Sequence, residues 1–124
     1  MLQNSKYYFG LGFAFDELGD IKNAKASFHD AININPLDLR ARRAYAISLT
    51  KELEYDDAIE QFKEIIKSEP NDADTHYNLA LAYEIKNEKD LAIEYYKKAI
   101  EIQPNHVEAN NNLSLLEEVE ETSF

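Results

Sequence analysis

Residues 73–106 read ADTHYNLALAYEIKNEKDLAIEYYKKAIEIQPNH. Leu79 and Tyr83 recur at helical spacing in the first half, Asn87 stands where that helix must end, and Pro104 stops the second half. The stretch therefore predicts a helix, a short turn, a second helix and a proline-bearing link. Stepping back by 34 residues, Pro70 and Pro36 take the place of Pro104, Ala58 and Ala24 that of Ala92, and Phe62 and Phe28 that of Tyr96. Three columns sharing one interval mean one helical hairpin written three times, the sign of a stack of supersecondary units.

The repeat places helices at about 5–18, 21–34, 39–53, 56–68, 73–86 and 89–102, with an amphipathic stretch from 107 to about 119 as an unpartnered cap. The units are 5–38, 39–72 and 73–106, with a capping helix over 107–121, in one domain spanning 1–124. Leu11 with Phe15, Tyr45 with Leu49 and Leu79 with Tyr83 face neighbouring helices. Gly12, Ala46 and Ala80 form one small-residue column and Ala24, Ala58 and Ala92 another, so two helix surfaces approach closely at each. Asn4, Asp38 and Asp72 precede the first helices as N-caps, while Gly19 and Asn87 suit the left-handed close of a helix.

Composition removes several classes of function. A net charge of −11 and a pI near 4.6 make a phosphate backbone and an anionic membrane poor partners. No cysteine is present, which excludes disulfides, thiolate nucleophiles and zinc-thiolate sites. The apolar run from Tyr7 to Phe15 ends in Asp16 and Glu17 without a small-residue cleavage site, so the expectation is a repeat helix in place of a leader. No stretch is apolar enough to span a bilayer, and a cytoplasmic location is the expectation.

On these residues the chain resembles the tetratricopeptide-repeat (TPR) family, 34-residue helix-turn-helix units that stack into a right-handed superhelical α-solenoid. Leu79, Ala80, Tyr83, Ala92, Tyr96, Ala99 and Pro104 match its marked positions, as do Tyr8, Leu11, Gly12, Phe15, Ala24, Phe28, Ala31 and Pro36. The second unit departs from the pattern, with Arg42 in place of an aromatic and Ile65 in place of alanine. The resemblance implies an all-α fold whose first helices line a concave groove that holds a peptide or helix of another protein.

Carried onto this sequence, the groove holds Phe9 and Phe13, then Arg40, Arg43 and Ile47, then Tyr77, Asn78 and Leu81, and finally Asn112 and Leu115. Phe13, Ile47, Leu81 and Leu115 repeat at the period and form an apolar floor, covered by a ligand or by the chain's own helices. Asn78 and Asn112 can pair with both the donor and the acceptor of a peptide backbone. Arg40, Arg43 and Lys51 form a cationic spot suited to acidic groups of a partner, or else pair with neighbouring acids such as Asp74. A chaperone-type carboxylate clamp is not supported, because Phe9 and Phe13 fill its lysine and asparagine places.

Chemistry has little footing. Asp72, Asp74 and His76 alternate as metal ligands might, but their number is short of the calcium and zinc patterns, and Asp72 is accounted for as a cap. His29 and His106 lack a nucleophile beside them, and no phosphate loop or serine elbow occurs. Glu117, Glu118, Glu120 and Glu121 are read as a solvated helix end. The expectation is a non-catalytic interaction module without cofactor or metal; self-assembly through the stack ends or convex face, and a fragment of a larger enzyme or scaffold, are the alternatives.

Overall fold

The computed structural model describes residues 2–121, with side chains described for residues 4–118. Its elements are α1 (Leu2–Glu17), α2 (Ile21–Ile34), α3 (Leu39–Lys51), α4 (Tyr55–Ser68), α5 (Ala73–Ile85), α6 (Lys89–Ile102) and α7 (Val107–Glu121). No strand occurs among the described residues, and the fold is an all-α helical repeat. Helices α2 and α6 begin and end where the period places them. The chain divides at Gln61 and Phe62, inside α4, into two compact units.

In the first unit, Asp38 caps α3 by accepting from the amides of Arg40 at 3.1 Å and Ala41 at 3.3 Å. Asp20 caps α2 through the Asn23 amide. Asn4 is not a cap, contrary to the sequence expectation, because α1 starts earlier and carries it within the helix. The early start has a tertiary cause: Ser5 is buried and its Oγ donates to the Ala31 carbonyl at 3.1 Å, tying the first turn to α2. Ala24, Phe28, Ala31, Ala41, Ala46 and Leu49 fill the core, where burying a side chain such as Phe28 or Leu49 contributes about 1.5–3 kcal/mol.

The small-residue columns mark close approaches. A Cβ built on Gly12 would stand 2.6 Å from the Phe28 ring, while Ala46 of the same column is fully buried. Ala24, Ala58 and Ala92 are fully buried in their respective units. Gly19 closes α1 at φ +80. The corresponding residue after α3 is Leu53 at φ 63, a left-handed conformation that disfavours a residue with a Cβ, and one no glycine or asparagine announces in the sequence.

In the second unit, Phe62, Ile65, Leu79, Ala80, Tyr83, Ala92, Tyr96, Ala99 and Leu116 form the core. Ile65, where the repeat pattern has alanine, is fully buried, so the departure is absorbed by the interior and not displayed. Asp72 occupies the N-cap of α5 without bonding an amide; its Oδ2 accepts from the Thr75 hydroxyl at 2.8 Å. Asn87 takes φ 65 at the close of α5. Among the described residues no helix is long and apolar enough to cross a membrane. Of the acidic tail, the side chains of Glu120 and Glu121 lie outside the described residues.

Candidate functional site

Helical geometry sets which side chains α1 and α3 present together. Phe13 and Asp16 lie one turn apart on α1, as do Ile47 and Lys51 on α3. These four, with Phe28, Ala44 and Ser48, line a cavity of about 160 Å³. Phe13 is 55% and Ile47 37% exposed, so an apolar mouth faces solvent. The Lys51 ammonium meets the Asp16 carboxylate at 3.0 Å on the rim. Ser48 adds no polarity to the wall, since its Oγ donates to the Ala44 carbonyl at 3.0 Å.

Beside the cavity, the Arg40 guanidinium sits 5.2 Å above the Phe9 ring, and Phe9 rests 5.8 Å from Phe28. Arg40 also approaches Asp38 at 3.6 Å but leaves most of its side chain exposed. Arg43 is half-buried and engaged with its surroundings. Arg42 is spent structurally, its Nη1 donating to Gln61 at 2.6 Å and its Nη2 to the Pro36 carbonyl at 3.1 Å. Lys25 bonds Glu54 at 2.8 Å, and that hydrogen bond, against the cost of burial, holds its ammonium above the usual lysine range.

On the α5 and α7 side of the second unit, Asn78 and Leu81 are half-buried and Leu115 is exposed. Asn112 is committed in part, its Nδ2 donating to the Tyr96 hydroxyl at 3.1 Å, and that hydroxyl donates to Glu84 at 2.6 Å. Tyr96 is fully buried, and burial together with the Glu84 carboxylate raises its phenol far above the usual tyrosine range. Tyr77 lies 5.9 Å from Tyr96 and 5.0 Å from His106. Its phenol is pushed up by burial and then by the Glu108 carboxylate, against the favourable bond from Asn112.

His76 and His106 are both engaged within the second unit. His76 is buried, with Nε2 2.8 Å from the Pro70 carbonyl and its ring stacked on Tyr95. His106 occupies the N-terminus of α7, where Nδ1 accepts from the Ala109 amide at 3.2 Å. Nε2 therefore carries the proton and donates to Asp74 at 2.8 Å. That role was legible, because 106 continues the 38 and 72 column of caps. No group of three His, Cys, Asp or Glu side chains suited to a metal occurs among the described residues.

Family comparison agrees with this geometry. Models described as tetratricopeptide repeat match residues 5–36 and 73–106, and one described as TPR repeat matches 49–87. The chain belongs to the tetratricopeptide-repeat family. A curated TPR repeat-containing protein, MJ1428 of Methanocaldococcus jannaschii, is 33% identical over 64 residues, which are 52% of this chain and 11% of that one. Among solved structures, YrrB, described as a TPR protein with an unusual peptide-binding site, is 31% identical with a TM-score of 0.85. The match covers 88% of this chain and 56% of YrrB. MamA is 26% identical with a TM-score of 0.89, over 94% of this chain and 68% of its own. The chain thus spans a small part of its curated TPR relative and about half of YrrB.

Periodicity gives no sign of the bonds between side chains on different helices. The link from Glu84 through Tyr96 to Asn112 joins three helices, and no spacing in the sequence singles those residues out as partners. The cavity over Phe28 depends on Gly12 admitting the ring, a relation visible only once α1 and α2 are packed.

Proposed function

We propose that this chain is a non-catalytic protein-interaction module that seats one apolar side chain of a partner peptide or helix in the cavity between Phe13 and Ile47. The observation that carries it is the cavity of about 160 Å³ with an apolar floor and an open mouth. Small-molecule sites usually run to about 300–1,000 Å³, whereas an apolar cavity of about 150 Å³ takes a benzene-sized group. Its dimensions suit a Leu, Ile or Phe side chain better than a cofactor.

Around that anchor, the exposed guanidinium of Arg40 offers donors to an acidic group, with Arg43 beside it. The second unit, taken by itself, offers the Asn78 amide to a partner's backbone, and Asn112 keeps its carbonyl oxygen after serving Tyr96. Tyr77, Leu81 and Leu115 add apolar area in the second unit, and Phe9 backs the Arg40 contact. The peptide-binding site of YrrB, a relative at 31% identity, supports the same use of the fold.

The test is selection of a displayed library of random peptides on the immobilised full chain and on its Ile47→Asp variant. Both are checked for folding by far-UV circular dichroism. Enriched peptides should carry a common apolar residue and should be lost on the variant. Equal enrichment on both proteins would refute the cavity as the anchor site.

A further inference from the structure

The cavity of the first unit says little about which partners are preferred, but the α5 and α7 face of the second unit is more informative. Its apolar part consists of Tyr77, Leu81 and Leu115, the last 61% exposed. Tyr77 lies 5.0 Å from His106 at the start of α7, which places this face of α5 beside α7, and Leu81 and Leu115 follow Tyr77 and Asn112 by one turn along their helices. The polar part carries negative charge. Glu84 and Glu108 are exposed, both act on the Tyr77 phenol, and neither has a lysine or arginine partner among the described residues.

Glu84 is exposed and accepts a hydrogen bond from the neutral Tyr96 hydroxyl on Oε1 at 2.6 Å. Glu108 stands 3.5 Å from Nδ1 of His106, the ring nitrogen that already accepts from the Ala109 amide. Three lysines of this unit are engaged elsewhere, Lys63 over Tyr83, Lys98 over Tyr95 and beside Glu94, and Lys67 beside Glu64. An exposed apolar strip bordered by uncompensated carboxylates is complementary to a segment that joins an apolar side chain to a cation.

We propose that the α5 and α7 face docks a basic amphipathic segment of a partner protein, with an apolar side chain against Leu81 and Leu115 and an adjacent Lys or Arg on Glu84 and Glu108. This rests on the interaction-module reading above and adds the chemistry of the partner. Each exposed ion pair should change affinity about two- to fivefold, and added salt should weaken binding chiefly through slower association.

The probe is again a displayed library of random 12-residue peptides, selected on the full chain, followed by anisotropy with the synthetic consensus peptide. We expect enrichment of Lys or Arg next to Leu, Ile or Phe. The double variant Glu84→Gln/Glu108→Gln should weaken the consensus peptide about 4- to 25-fold, as two such pairs allow. Because the whole protein is acidic, Asp30→Asn/Glu60→Gln serves as the control: it removes the same charge from exposed positions of the first unit and should leave affinity unchanged. Equal loss in both double variants would show nonspecific attraction and overturn the proposal. So would enrichment without basic residues, an outcome that leaves the cavity reading intact. If no peptide is enriched on the wild-type chain, both readings fall.

Discussion

Three glycines occupy three different environments, and alanine at each isolates one physical term. At Gly10 an added Cβ meets nothing within 4 Å, so Gly10→Ala should gain the full helix-propensity difference of about 0.8–1.0 kcal/mol. At Gly12 the same methyl would lie 2.6, 2.7 and 3.0 Å from three atoms of the Phe28 ring. That ring is 3% exposed and braced by Phe9, so it cannot swing aside. Overpacking of this kind costs about 1–3 kcal/mol, which outweighs the propensity gain and leaves Gly12→Ala about 1 kcal/mol less stable than wild type. The two variants share chemistry and helix but not surroundings, Gly10 being exposed and Gly12 buried against Phe28, so the gap of about 2 kcal/mol between them reports chiefly that contact.

Urea and thermal unfolding followed by far-UV circular dichroism measure it directly. At about 4 °C per kcal/mol for a chain of this size, the two variants should melt about 8 °C apart. Phe28→Leu introduced with Gly12→Ala should cost less than the sum of the single changes, because the clash and the ring disappear together. Equal stability of Gly10→Ala and Gly12→Ala would refute the close approach of α1 and α2 at this point.

Other expectations follow from single positions. Leu53→Asn should raise stability by about 0.5–1 kcal/mol in urea unfolding, since Leu53 is 72% exposed and asparagine tolerates φ 63 better. Tyr45, Tyr77 and Tyr96 have phenols raised above the usual value, so the folded chain keeps protons that the unfolded chain gives up near pH 10. Stability present below pH 10 should therefore fall as pH rises beyond it, with absorbance at about 295 nm showing these rings ionising only on unfolding. Tyr96→Phe should cost about 1–2 kcal/mol at pH 7 and flatten that alkaline decline, as urea midpoints across pH would show. His106→Ala should lower the melting temperature by an amount equivalent to about 1–2 kcal/mol, and His106→Asn, which can still cap α7, should recover a good part.

Much of the fold was legible because its determinants are local or periodic. Pro36, Pro70 and Pro104 end helices by covalent geometry, and the buried alanines Ala24, Ala58 and Ala92 repeat with the same period. Where determinants are tertiary, the sequence misled or was silent. Asn4 has the chemistry of a cap, yet the Ser5 bond to Ala31 carries α1 past it. Leu53 has no chemistry for a left-handed turn and is held there by the helices on either side. Of the residues the sequence assigns to a groove, Phe13 and Ile47 meet at one cavity, whereas Asn112 commits part of its amide to Tyr96, a bond that depends on where α6 and α7 cross.

The extensive helix packing joins neighbours in sequence, α1 with α2, α2 with α3, α5 with α6 and α6 with α7. A chain organised in this way forms its extensive packing across the short connections between successive helices, and topologies rich in local contacts refold in microseconds to milliseconds. It can also start from more than one hairpin, because each nucleus needs only the adjacent helix to grow. During synthesis, each hairpin can therefore settle before the next has left the ribosome.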